Sequence, residues 1–346
     1  AAGDSIIFEP YDMTSTYDGM WKGIKMEYSS STWPSKIELS YFRTSYGGNT
    51  SWPYGAVAVY NKKSRSAGID SITVSHGEIH NSSYKGVYVY SNDGTADYGQ
   101  VYVSLGNLWV HDNSSDGFEM SENHWTDIAL DSLNVHNNSA HGLHLGSNYD
   151  YTIMTVDSAR IADNASDGLN FYRLIDGATL NVENADIHDN GGSEVYVGRF
   201  DVGSGSEISV TNSTLYDDGG WVVYAAYCCY PEMAGVNLDF RQNDWGATVT
   251  AEMNTGTNPQ DITAIYDYYE NTNYYPLINY ASYVGATGTT GYSGDVEFED
   301  ANGNSINDIP LGSTTLHFAL YDVDLDHGSA SVTVVSESDP SGETVV

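Results

Sequence analysis

The stretch Val135-His136-Asn137-Asn138-Ser139-Ala140-His141-Gly142-Leu143-His144-Leu145 decides the fold. An apolar anchor, Val135, is followed three positions later by Asn138 and seven positions later by Gly142, which opens the alternating triplet Leu143-His144-Leu145. Outward from it the pattern repeats as Ile79-His80-Asn81-Ser82, Val110-His111-Asp112-Asn113, Ile161-Ala162-Asp163-Asn164, Ile187-His188-Asp189-Asn190 and Leu215-Tyr216-Asp217-Asp218. Successive anchors lie 31, 25, 26, 26 and 28 residues apart. The glycine returns as Gly86, Gly117 and Gly168, ahead of Val87-Tyr88-Val89, Phe118-Glu119-Met120 and Leu169-Asn170-Phe171. Glu194 and Val222 take its place in the last two repeats, which predicts a different turn there.

A unit of this length, built from short period-2 strands and Gly/Asn/Asp turns, cannot bury its apolar face alone, so the units must stack. Stacked coils lie about 4.8 Å apart, which aligns inward Val, Leu, Ile and Phe in columns and pairs every strand with the coil on either side. The predicted fold class is therefore all-β: a right-handed parallel β-helix, a solenoid. Asn113, Asn138, Asn164 and Asn190 then form a ladder of side-chain amides that also satisfies turn backbone. Leucine-rich repeats share the period but need a leucine spacing and a helical half-repeat that are missing here. The 35 Gly and 29 Tyr suit strands and turns rather than long helices.

The chain has 346 residues and a net charge of −35, from 47 Asp+Glu against 12 Lys+Arg. That field repels nucleic acid, phosphate ligands and anionic membrane, and attracts divalent cations. No apolar run approaches the roughly 20 residues of a membrane span, so membrane insertion is not expected. The stretch from Ala1 to Glu9 lacks the basic start and apolar core of a signal peptide, and is read as the start of a mature or trimmed piece. Cys228 and Cys229 are neighbours and cannot staple distant segments.

Residues 1–60 resemble the amino-terminal part of bacterial surface β-helix proteins through Ile6-Ile7-Phe8, Trp21-Lys22-Gly23-Ile24 and Ile37-Glu38-Leu39-Ser40-Tyr41. The resemblance implies that a cap and a first coil precede Ala1. Asn243-Asp244-Trp245-Gly246 and Tyr275-Pro276-Leu277 look like the closing coil of the same family. Pro259 after Asn258 predicts a short capping helix up to Glu270, with Ile262, Ile265, Tyr266 and Tyr269 on one face. Val296-Glu297-Phe298, Thr315-Leu316-His317-Phe318 and Val332-Thr333-Val334-Val335 read as separate antiparallel strands, and this part resembles the start of Ig-like modules of large bacterial surface proteins. The expected organisation is a β-helix with its cap over 1–284, a Gly/Thr-rich linker over 285–294 and a small β-strand segment, a partial Ig-like sandwich, over 295–346.

On a β-helix, outward side chains of successive coils form rows. Two positions after the glycine the row reads Tyr88, Glu119, His144, Asn170, Tyr196 and Tyr224; just before it, Lys85, Asp116, His141, Asp167, Ser193 and Trp221. Aromatic ends around acids, imidazoles and amides suit stacking and hydrogen bonding to sugars, with Tyr172 beside them. Ser115-Asp116-Gly117, Ala140-His141-Gly142 and Leu169-Asn170-Phe171-Tyr172-Arg173 also resemble the acidic, His-Gly and basic motifs of polygalacturonases. That resemblance implies Asp116 as an acid, His141 as an assisting imidazole and Arg173 as a carboxylate-binding residue. A single Asp116 stands where that family has adjacent aspartates, and the family's further Asn-x-Asp has no counterpart here.

A second row, His80, His111, His136 and His188, follows the anchors and is read as surface stacking rather than a metal site. Asp300, Asn302, Asn304 and Asp308 alternate oxygen ligands as calcium loops do, with Asp322, Asp324 and Asp326 nearby. The sequons at Asn81, Asn113, Asn137, Asn164 and Asn212 fall largely on turn columns and are read as structural. The leading expectation is a non-catalytic, secreted or cell-surface scaffold of a large adhesin-like, filament or surface-layer protein that contacts polysaccharide or other surface proteins. Such a rod could self-assemble through uncapped ends or the unfinished Ig-like module. The alternative is a polysaccharide hydrolase or lyase, with catalytic candidates Asp116, Glu119, His141, His144 and Arg173.

Overall fold

A computed structural model describes residues 6–9, 22–28, 36–48, 54–61, 70–91, 101–149, 151–200, 205–217, 219–225, 233–255, 259–287, 295–299, 317–321, 332–336 and 339–345. The strands stack in parallel, coil on coil, as the repeat requires. The anchors pair in one column, Val110 with Val135, Val135 with Ile161, Ile161 with Ile187 and Ile187 with Leu215. Described strands form a 14-stranded sheet A and a 10-stranded sheet B. Between them lies one continuous core running from Met26 to Tyr283, in which Phe118, Leu143, Leu145, Phe171 and Val195 are fully buried. Each such side chain contributes about 1.5–3 kcal/mol through burial.

Sheet A is bent, which gives each coil three strand faces. Val101–His111 is one strand, whereas the next coil divides it into Thr126–Asp131 and Asn134–His136. At the bend the backbone is left-handed, with φ of 52° at Asn107, 53° at Ser132, 55° at Ser158, 52° at Asn184 and 50° at Asn212. The same column begins with Tyr41 and His76, at φ of 55° and 52° and with rings stacked at 4.7 Å, so the bend is not reserved for short polar side chains.

The asparagine ladder is continuous. Nδ2 of Asn113, Asn138 and Asn164 donates to Oδ1 of the next asparagine at 2.8, 2.9 and 2.9 Å, and the backbone N–H of each donates to the same oxygen at 3.2, 3.1 and 3.1 Å. The glycine column is the other half of this device: a Cβ at Gly142 would stand 2.9 Å from Asn164 Nδ2 and 2.4 Å from Ile161 Cγ2. Sequons Asn113 and Asn164 are thus buried rungs, while Asn81 and Asn137 occupy left-handed turns.

The last two coils correct one expectation. Leu169 N–H still donates to Glu194 O, and Val195 N–H to Val222 O, so the coil-to-coil pairing continues through Glu194, while at the last replacement Val222 and Val223 N–H both donate to Ala264 O. Glu194 fits because its carboxylate ends the ladder, accepting Asn190 N–H on Oε1 at 3.1 Å and Asn190 Nδ2 on Oε2. Burial pushes its pKa up to about 8, against the opposing hydrogen bonds from Asn190.

The cap also differs from expectation. The helix is Gly246–Met253, which buries Val249 and Met253, and Trp245 before it is fully buried. Ile265–Tyr266 is instead a short strand that extends sheet B by pairing with Val223–Tyr224. Ile262 and Ile265 do point inward, but a turn, Ile265 N–H to Ile262 O at 2.8 Å, spaces them, and so short an apolar pattern does not separate turn-plus-strand from helix. In the tail, Asp295–Glu299 pairs antiparallel with His317–Tyr321, and Val332–Ser336 with Asp339–Val345. Trp21, Asp218, Cys228, Cys229, Asp300, Asn302, Asn304, Asp308, Asp322, Asp324 and Asp326 lie outside the described residues.

Asn138→Ala removes the acceptor of two Asn113 donors inside the stack and is expected to cost about 2–4 kcal/mol, read as a lowered unfolding midpoint in denaturant. The raised Glu194 pKa makes the native state hold a proton that the unfolded chain releases. Its stabilising contribution is complete below the ordinary glutamate range and is lost as pH rises through about 8. Glu194→Gln should therefore flatten the fall in thermal midpoint between mildly acidic and mildly alkaline buffer; an unchanged slope would show that Glu194 does not titrate in this way.

Candidate functional site

Strand register builds the outward row of sheet B without gaps. Tyr88 pairs with Glu119, Glu119 with His144, His144 with Asn170, Asn170 with Tyr196, Tyr196 with Tyr224 and Tyr224 with Tyr266. The second column runs beside it: Gly86, Gly117, Gly142 and Gly168 N–H donate to the carbonyls of Asp116, His141, Asp167 and Ser193. Two columns of side chains, one coil per step, therefore share one face.

At their centre the two columns converge into carboxylate–imidazole pairs. His144 Nδ1 lies 3.8 Å from Asp116 Oδ2, and His141 Nδ1 lies 3.1 Å from Asp167 Oδ2. The two imidazole rings sit 5.1 Å apart, inclined by 55°. Asp116 is anchored through Oδ1 by the backbone N–H of His141 at 3.1 Å. Asp167 is anchored through Oδ1 by Ser193 N–H at 2.8 Å and through Oδ2 by Asn170 Nδ2 at 2.6 Å. His141 Nδ1 also lies 3.2 Å from the backbone N–H of Asp167. With its proton this nitrogen donates to the carboxylate; without it, it accepts from the amide, so the ring keeps its place in either state.

Burial alone would raise the pKa of Asp116, but the neighbouring His144 and His141 rings and the His141 backbone N–H outweigh it and hold the group below the usual carboxylate range. Asp167 is partly buried, which would raise it too, and hydrogen bonds from His141, Asn170 and the Ser193 backbone bring it down.

One coil earlier, Lys85 forms a tight ion pair with Glu119 in a nearly enclosed setting, and Ser121 Oγ donates to the other Glu119 oxygen at 3.0 Å. The Lys85 ammonium also lies 4.8 Å from the ring centre of Tyr84 and 4.9 Å from that of Tyr88. Beyond Asn170 the aromatic end is a stack: Tyr196 to Tyr224 at 5.9 Å and Tyr224 to Tyr266 at 4.7 Å, each near 15°. Because these faces cover one another, the tyrosines offer ring edges and hydroxyls, not open stacking platforms. Trp221 lies across the end of the stack, 76° from Tyr266, and is partly exposed. Burial raises the pKa of Tyr88, as does the charge of Glu119; burial and the charge of Asp167 do the same at Tyr196, so both phenols remain hydrogen-bond donors.

Of the sequence-derived candidates, Asp116, Glu119, His141 and His144 come together with the row residues Tyr88, Asn170, Tyr196 and Tyr224. Arg173 does not join them. It sits three residues past Asn170, about 10 Å along the strand, in register with Ser147 and Arg199 and over the Tyr149 ring at 5.6 Å. Tyr172 lies between them on the same strand and is exposed. Asp167 is the site residue whose role the sequence reading missed. Its place in the column was visible, but its pairing with His141 depends on side-chain direction. The histidine column of sheet A stacks as expected, with His80 to His111 at 5.3 Å and His111 to His136 at 5.0 Å, and its rings nearly parallel. A groove of about 490 Å³ lined by Arg43, Glu78 and Trp109 also lies on sheet A, away from these pairs.

No protein-family model matches the chain, and no curated protein is similar to it in sequence. Among solved structures it is similar to pectate lyase Pel9A, at 13% identity and TM-score 0.39 over 84% of this chain and 71% of that one. It is also similar to the A-module of the Azotobacter vinelandii mannuronan C-5 epimerase AlgE6, at 14% identity and TM-score 0.33 over 78% and 80%.

Lys85→Met leaves the Glu119 carboxylate enclosed without its cation and is expected to cost about 3 kcal/mol, whereas Lys85→Met with Glu119→Leu recovers most of that loss. Unfolding titrations of the single and double variants measure both.

Proposed function

We propose that the outward row of sheet B is a polysaccharide-active site, in which a glycan chain lies along the solenoid axis and His141 and His144 move protons at the bond to be broken. The observation that carries this reading is the pair of anchored carboxylate–imidazole couples, Asp116 with His144 and Asp167 with His141, at the centre of an unbroken polar and aromatic row. An ordinary solvated sheet face has no need to enclose carboxylates, and burying them costs free energy that a functional site recovers. A linear polymer suits a surface that repeats with every coil, about 4.8 Å. Tyrosine hydroxyls and the Asn170 amide supply hydrogen bonds for sugar oxygens on either side of the centre.

The chemistry follows from what the four side chains can hold. Two carboxylates alone, each stabilised as the anion by its hydrogen bonds, offer no proton to a leaving oxygen. An imidazole oriented by a carboxylate serves as base when neutral and as acid when protonated. One ring then withdraws a proton, from a water or from the carbon beside a uronic carboxyl, while the other protonates the departing glycosidic oxygen. The first route is hydrolysis and the second is elimination. A polymeric glycan is met outside the cell, so a secreted or surface location accompanies this reading.

Incubation with uronic and neutral glycans tests it. Chain shortening is expected on at least one of them, with elimination marked by an unsaturated, ultraviolet-absorbing end and hydrolysis by its absence. His141→Ala and His144→Ala should each slow turnover by about 100-fold or more while retention in a glycan-containing gel changes little. Retention without any shortening would reduce the row to a binding surface and sink the catalytic reading.

A further inference from the structure

We propose that Asp116, His141 and His144 form a site for one divalent transition-metal ion of the zinc class. One ligand atom from each lies within 4.8 Å of the others, and among the described residues this is the one group of three or more His, Cys, Asp or Glu side chains that converges in this way. Ligands around a tetrahedral zinc, at about 2.0–2.1 Å from the ion, stand about 3.4 Å from one another, so small side-chain rotations close the site. Two imidazole nitrogens and one carboxylate oxygen suit zinc, manganese, iron, cobalt, nickel or copper, whereas calcium takes six to eight oxygens.

The surroundings are built as a metal site needs. Metal-bound histidines usually pass their other ring nitrogen to a carboxylate, which fixes ring orientation. His141 can take that arrangement: with its proton on Nδ1, which lies 3.1 Å from Asp167 Oδ2, Nε2 would be the ligand atom, and Asp167 is itself held by Ser193 N–H and Asn170 Nδ2. The backbone of His141 occupies Asp116 Oδ1 and leaves Oδ2, which already faces His144 Nδ1 at 3.8 Å, for the ion. The Asp116 side chain is only 7% exposed while that of His144 is 27% exposed, so the ion would be gripped from below and open to solvent above. The histidine column of sheet A makes the contrast. Its rings lie one per coil with their faces together, and a row of parallel rings does not point three donors at one spot.

This inference goes beyond the glycan reading and does not rest on it. An ion at this site occupies ring nitrogens that proton transfer requires, so the metal-filled and proton-transferring forms are alternatives.

The test is calorimetric titration of the metal-stripped, intact chain with zinc chloride, and with cobalt chloride followed by visible absorption, both without glycan. One zinc per chain is expected, with cobalt bands of a nitrogen- and oxygen-ligated site. His141→Ala, His144→Ala and Asp116→Asn should each weaken zinc binding by at least 100-fold. Asp167→Asn should weaken it by about 10–100-fold, and His111→Ala should leave it unchanged. Circular dichroism identifies any variant that fails to fold, and the wild-type stoichiometry and cobalt spectrum need no variant at all. Absence of stoichiometric binding, or binding that survives the His141→Ala, His144→Ala double variant, would overturn the proposal. Since no sugar is present, that failure leaves the glycan reading standing, and a failed glycan screen leaves the metal site standing.

Discussion

Everything in this molecule depends on one constraint: each coil must hold the next in register, because no coil has a closed core of its own. Backbone pairing sets the spacing, but parallel strands in isolation can slip, and a slip by one residue would turn every inward side chain outward. The asparagine ladder prevents this. Each rung engages both a side-chain amide and a backbone N–H of the coil before it, and Gly142 and its equivalents clear the space the rungs occupy. The apolar columns supply most of the stabilisation, while the ladder selects the single register in which they coincide.

The candidate site inherits its geometry from that register. Asp116, His141 and Asp167 precede the turn glycine in three consecutive coils, and His144 lies two residues beyond the glycine in the middle coil, so rung spacing places donors and acceptors near one another without any loop folding over them. Rigid positioning of this kind suits both proton transfer and metal ligation, since each requires side chains held in place before the ligand arrives.

Most of the stack was legible in the sequence because its period is short and its columns are chemically distinct. The anchors, the rungs Asn113, Asn138, Asn164 and Asn190, and the order of the outward row all follow from counting. What escaped counting depends on side-chain direction or on unlike residues doing one job. Glu194 reads as a broken glycine column, yet it ends the ladder. Asn123 and Asn148 form a second ladder, 2.8 Å from amide to carbonyl, that no repeat announced. The left-handed bend is filled by Tyr41, His76, Asn107, Ser132, Ser158, Asn184 and Asn212, too mixed a set to stand out. The Asp167–His141 pair needed the ring orientation, and the apolar spacing of Ile262 and Ile265, common to turns and helices, reads as a helix where the chain forms a turn and a strand.

The ladder has a direction, and that bears on how such a rod can grow. Every amide donates toward the carboxyl-terminal end, so the chain of bonds runs from Asn113 to Glu194 and stops at a group whose two oxygens both accept from Asn190. A coil duplicated between Asn113 and Asn190 brings its own rung and continues the sequence of bonds. Lengthening by repeat duplication is therefore open within the ladder, whereas beyond Glu194 the coils continue on strand pairing and apolar columns, Val195 with Val223 and Val223 with Ile265.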